Sequence, residues 1–262
     1  MQPESENVSV PWTGFDVFWF LVFGLTTFSI ANSAAYVACH SQLEERIIDV
    51  SQESEKKLHP IAQMIQDGKN EPMILLVAFL AAVVAAPLFE EFFFRLLFQG
   101  WLESKLSYYR SSYTSGIAIV IVSLCFAVIH VENQNNMVVP RELFYKMTAS
   151  VAAHLLVFTI GIFYLIRIRN VNLTDVLVGT KQCHRLPLEM FVIICLITVL
   201  LIFGLTAFLR MSFPDVFIDP VPIFFFSLVL GFLYSRTRNL LYCVLLHACL
   251  NAMSLVIVLL LG

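Results

Sequence analysis

Seven stretches of the chain are predominantly apolar: Phe15–Ala38, Met73–Gly100, Gly116–His130, Thr148–Ile166, Leu188–Leu209, Val221–Tyr234 and Leu240–Leu261. A bilayer core about 30 Å thick takes about 20 helical residues to cross, and several of the seven reach that length. Backbone polar groups find no water in lipid, so each such run must be a helix that bonds its own backbone. The pattern therefore predicts an all-α, polytopic bundle of about seven to eight transmembrane spans, forming one membrane-embedded domain over residues 1–262. Gly116–His130 and Val221–Tyr234 are short. Such runs arise as broken helices, or as spans whose polar ends line a cavity.

Between the runs the chain is polar. The longest polar stretch, Cys39–Pro72, is rich in Glu, Gln, Lys and Ser. Its charges alternate in sign without a wide apolar stripe, which predicts a solvated loop with at most a surface helix over Ser41–Lys57. One set of loops holds Lys105, Arg110, Arg167, Arg169, Lys181, Arg185, Arg236 and Arg238 in short segments, which places the N-terminus inside by the positive-inside rule.

Composition agrees with the pattern. The chain is 59% hydrophobic and 13% charged, with 24 Phe, against about 25% charge in soluble domains. A net charge of -3 gives no surface for nucleic acid. The six cysteines form no CxxC pair and read as small apolar residues with free thiols. Met1–Gly14 carries no Lys or Arg, unlike the basic start of a cleaved signal peptide, so the first run is expected to stay as a membrane anchor.

Charge inside the apolar runs changes the picture from membrane protein to candidate enzyme. Glu90, Glu91 and Arg95 lie within the 28 residues of Met73–Gly100. Each charge at mid-bilayer costs about 2.5–3.5 kcal/mol on insertion scales, so the three must face protein or water. Glu91 and Arg95 are one turn apart and can pair. Glu90 is rotated about 100° from Glu91 and can face a cavity. A carboxylate beside a fixed cation stays ionised; one in a less polar setting can take and return protons. An ion-pair lock between helices needs only one Glu, so the second favours a site.

Two further elements join this one. His130 ends an apolar run and precedes Glu132, Asn133, Gln134, Asn135 and Asn136. A helix continued through Val139, over 116–139, would set His130 near mid-depth with the polar run lining a wet cavity. His247 and Asn251 share one face of the last segment and are expected to aim two donors at one point, as an oxyanion or ligand carbonyl requires. A plain interhelical hydrogen-bonding pair is the competing reading. His154 has no such companion and reads as an interhelical contact. No serine elbow, HExxH, paired membrane aspartate or P-loop motif is present.

Glu90-Glu91-x-x-x-Arg95, Phe126-x-x-x-His130 and His247-x-x-x-Asn251 resemble, in type and order, the three motifs of the CAAX protease and bacteriocin-processing family of intramembrane proteases. Phe89–Glu103 and Pro220–Asn251 carry the likeness furthest. The resemblance implies an intramembrane endopeptidase in which Glu90 and His130 activate the attacking water. His247 and Asn251 would bind or polarise the scissile carbonyl, and Glu91 and Arg95 would shape the site. The family is classed with metalloproteases. Glu90, His130 and His247 make a workable zinc set, but Asn251 is an unusual zinc ligand, which leans toward direct activation without a metal. His130 and His247 stand 117 positions apart with two long apolar segments between them, so the helix order around the site stays open.

The expected partners are the lipid bilayer and a peptide or membrane-tethered protein substrate, with hydrolysis next to the membrane of a C-terminal or leader peptide. The expected location is the inner (plasma) membrane of the cell. The alternative is a non-catalytic membrane scaffold or immunity factor that keeps the polar core for folding or partner binding. A transporter would predict repeat symmetry between the halves, which the sequence lacks.

Overall fold

A computed structural model of the chain describes residues 10–40, 72–107, 113–130, 140–172, 174, 177, 187–212 and 220–261. Every apolar run forms a helix. They are α1 (Gly14–His40), α2 (Pro72–Ser107), α3 (Thr114–Ile129), α4 (Pro140–Arg167), α5 (Leu188–Ser212), α6 (Pro220–Thr237) and α7 (Leu240–Leu261). Among the described residues there is no strand. Six of these helices are long and apolar enough to cross a membrane; α3, with 16 residues, is shorter. The expected surface helix over Ser41–Lys57 and the polar run after Val131 lie outside the described residues.

The second motif-bearing helix is not the one expected over 116–139. It stops at Ile129, and His130 caps it with φ −86° and ψ 5°, its N–H turned back to Ala127 O and Val128 O. Three weak helix formers follow, Asn133, Asn135 and Asn136. His130 thus stands at the end of a short helix rather than midway along a long one.

α2 is the spine of the molecule. Its 36 residues would extend about 54 Å at 1.5 Å each, well beyond the hydrocarbon thickness. Two wider turns interrupt it, at Leu80–Ala85 and Phe92–Gln99, where the backbone runs as π-helix. They flank the short α-helical stretch Ala86–Glu91 that carries both glutamates. Such turns shift the side chains that follow around the helix axis and recur at functional sites.

Pro87 gives the first of these turns a consequence. The Ala86 N–H bonds to Ala81 O, five residues back. In that register the next donor, to Ala82 O, would be the nitrogen of residue 87, and proline has no N–H. Ala82 O is left needing a partner in an apolar environment. Asn251 of α7 supplies it, its amide nitrogen donating to Ala82 O at 2.7 Å.

α1 is fastened at its start. Thr13 donates to Asp16 Oδ2 from its backbone N–H (2.6 Å) and hydroxyl (2.9 Å), a capping arrangement. Tyr164, near the C-terminal end of α4, and Arg169, just past it, also donate to the buried Asp16. Between these ends α1 and α4 lie close, with the Phe20 ring edge-on to Phe92 and Tyr164. Gly161 of α4 makes room for the Phe92 ring of α2: a Cβ there would meet Phe92 Cζ at 2.5 Å. The α1–α4 pair and the α3–α6 pair close on α2, and the buried core runs through Phe92, Leu97, Phe126, Leu230 and Leu246.

Candidate active site

The glutamates divide as their spacing predicts. Glu91 is fully buried, and its Oε2 accepts from Arg95 Nε at 3.0 Å. Arg95, also fully buried, donates to Ser227 Oγ of α6 at 2.7 Å and lies over the Phe126 ring, 5.6 Å from its centre. Glu90, one residue earlier, turns toward α3 and α7 and keeps 17% of its side-chain surface exposed.

Both motif histidines come to Glu90 despite the long separation in sequence. His130 Nε2 lies 3.5 Å from Glu90 Oε2, and His247 Nε2 lies 3.8 Å from the same oxygen. The opposite nitrogen of each ring is engaged. His130 Nδ1 is 2.7 Å from Phe126 O, one turn back in α3. His247 Nδ1 is 2.8 Å from Glu91 Oε1. Rings of Phe126 and Phe226 wall His247, which is 5% exposed.

These partners fix the tautomers. A peptide carbonyl has only lone pairs, so His130 Nδ1 must carry the proton it shares with Phe126 O. An ionised carboxylate is likewise acceptor-only, so His247 Nδ1 must donate to Glu91. In their neutral forms both rings then present bare Nε2 lone pairs toward Glu90 Oε2. Among the described residues that oxygen is buried and has no hydrogen-bond partner. Three acceptors that face one another without a donor need one from outside, and a water molecule brings two hydrogens.

Asn251 does not share a target with His247, as their common face suggests. The His247 Nδ1–H goes to Glu91 and the Asn251 amide to Ala82 O, so those two donors diverge. One hydrogen of the Asn251 amide remains beyond the Ala82 bond. His154 is the interhelical contact its isolation suggests. Its Nδ1 bonds Ser150 O at 2.7 Å, and its ring packs against Phe28 and Phe89, joining α1, α2 and α4.

The zinc set fits less well than its composition suggests. Among the described residues no group of three or more His, Cys, Asp or Glu side chains gathers as a metal site. Glu90, His130 and His247 are arranged around one oxygen of Glu90 itself, rather than around a common empty point.

Ser227 is the site residue that the sequence reading does not single out. A serine in PVPIFFFSLVLGF carries no motif. Its role is set by Arg95, 132 positions away.

A family model described as type II CAAX prenyl endopeptidase Rce1-like matches the chain over residues 72–178 and 178–253. The first stretch holds Glu90, Glu91, Arg95 and His130, and the second holds His247 and Asn251. No curated protein and no solved structure matches the chain.

Proposed function

The chain belongs to the Rce1-like family of type II CAAX prenyl endopeptidases, and from that premise we propose that it hydrolyses a peptide bond at the membrane with water activated by Glu90 and His130. The observation that carries this reading is the buried Glu90 Oε2, without a partner among the described residues, between two imidazole nitrogens. A water placed there donates to Glu90 Oε2 and His130 Nε2 and turns a lone pair outward to the substrate. Its oxygen attacks the scissile carbonyl carbon while one proton passes to Glu90. As the C–N bond breaks, Glu90 returns that proton to the leaving amine, and the carboxylate is restored.

His247 and Asn251 serve the carbonyl oxygen. In the free site the His247 Nε2 is bare, so it becomes a donor there only on taking a proton in the substrate complex, while Glu91 holds Nδ1–H. Asn251 offers its second amide hydrogen, the plane of the amide being fixed by Ala82 O. Donors held in place before charge develops need no rearrangement during the reaction. The Phe126 and Phe226 rings shield His247 from bulk water, which strengthens its contacts. No step calls on a metal.

The family description makes a prenylated C-terminal CAAX peptide the first substrate to try, followed by leader peptides and membrane-tethered proteins. Native protein in liposomes is expected to cut such a peptide at one bond, with both products identified by mass. Chelation is expected to leave turnover unchanged. No cleavage of any membrane-bound peptide would refute the peptidase reading. Loss on chelation with recovery on adding zinc would replace direct activation by a metal.

Asn251→Ala is expected to lower turnover by about 10²–10³, the usual loss for one oxyanion donor. It also orphans Ala82 O, which costs about 1–3 kcal/mol of stability. Turnover and Tm on the same preparation check both. A fall in Tm with native turnover would leave Asn251 a lock between α7 and α2 and nothing more.

A further inference from the structure

The buried polar contacts do not stop at Arg95. From Glu91 to Glu103 every fourth residue of α2 is polar and buried: Glu91, Arg95, Gln99 and Glu103. Gln99 Nε2 donates to Glu103 Oε1 at 2.9 Å and to Gly231 O of α6 at 2.9 Å. Arg238, just beyond α6, pairs with Glu103 and lies over the Tyr234 ring. A Cβ on Gly231 would stand 3.2 Å from Gln99 Oε1 and 2.9 Å from Ile119 Cγ2. The absence of a side chain there lets α6 come close enough to bond Gln99.

The direction of each bond is set by its chemistry. Glu103 and Gly231 O only accept, so the Gln99 NH₂ must face them. Its Oε1 must then face Arg95, whose Nη1 lies 3.5 Å away. A flipped amide would put donor against donor. Arg95 in turn presents Nε to Glu91 and Nη2 to Ser227. Glu91 receives the His247 Nδ1–H on its other oxygen. An ordered chain therefore runs from Arg238 to the catalytic imidazole, along about 18 Å of α2 between Glu91 and Glu103.

We infer that Gln99, Glu103, Ser227 and Arg238 are positioning residues for this peptidase site. They fix the amide and guanidinium orientations that hold the Glu91 carboxylate on His247. None of the four touches the proposed water or the carbonyl. Net charge along the ladder is zero, two carboxylates against two guanidinium groups, so no lone charge is buried in it. A purely structural ladder would serve stability alone. A positioning ladder also governs the His247 ring.

The kinetic part of this inference rests on the peptidase reading; the spectroscopic part does not. The full chain, labelled with ¹⁵N-histidine in nanodiscs, gives a His247 Nδ1–H resonance assigned by its loss in His247→Gln. Gln99→Leu and Glu103→Leu are expected to move that resonance and to lower kcat about tenfold with KM unchanged. Glu103→Gln keeps an acceptor oxygen and is expected to restore most of both. Where a leucine variant fails to fold, Arg238→Met at the partly exposed end of the ladder is read instead, with the same shift in smaller measure. A His247 resonance unmoved in folded Gln99→Leu or Arg238→Met overturns the inference, whatever the peptidase assay shows. A moved resonance in a chain that cleaves no peptide keeps the ladder and rejects the enzyme.

Discussion

Glu90→Gln is expected to lower turnover about 10³-fold, within the range for removing a general base, while the protein keeps its native Tm. The amide has the size of the carboxylate but no basic oxygen, and its NH₂ would donate toward His130 Nε2 and His247 Nε2. Among the described residues the polar contacts of Glu90 are long, at 3.5 and 3.8 Å, so little stability is tied to its charge. Turnover of the cleaved peptide and thermal melting, measured on the same preparation, check the two halves together. Native turnover in Glu90→Gln would remove Glu90 from the role and pass it to Glu91.

Arg95 should give the opposite signature. Arg95→Leu leaves the fully buried Glu91 carboxylate without its cation and strips Ser227 and Gln99 of their partner. Breaking a buried pair from one side costs about 3–5 kcal/mol, a large share of the roughly 5–15 kcal/mol that holds a domain folded. Glu91→Gln should cost nearly as much, because it strands the guanidinium. The double variant Glu91→Leu with Arg95→Leu should melt above either single one, since no lone charge remains buried. Arg95→Lys keeps the charge but not the three-way fork, and should fall between Arg95→Leu and native. An Arg95→Leu protein with native Tm would contradict the ion pair as the support of the site.

The helices were legible from hydropathy because lipid permits few alternatives. Each of the seven apolar runs is a helix, with its ends within a few residues of the expected ones except where α2 and α4 extend into polar flanks. The Glu91–Arg95 pair was legible for the same reason, since two charges one turn apart in an apolar run have no cheaper arrangement than each other. The meeting of Glu90 with His130 and His247 was not readable from spacing. It depends on how α3 and α7 pack on α2, and only the family resemblance indicated it.

Other features were present in the sequence but silent. Pro87 in an apolar run announces a carbonyl without a partner, yet not which one, because the π turn decides that. The ladder Glu91, Arg95, Gln99, Glu103 repeats every four residues. Gln99 stands at the end of the apolar run and Glu103 lies in the loop expected beyond it, and only burial joins the two to the ladder. α3 ends at Ile129, short of the helix expected over 116–139, and the weak helix formers Asn133, Asn135 and Asn136 are all that the sequence offers toward that end.

The claim that one water is shared by Glu90 and His130 is tested most directly by a double-mutant cycle on turnover with Glu90→Gln and His130→Gln. Residues that act as one unit are not additive. The predicted result is that the double variant is no slower than Glu90→Gln alone. Losses that multiply, each substitution slowing the other's variant by its full single effect, would show two independent roles and contradict a common water.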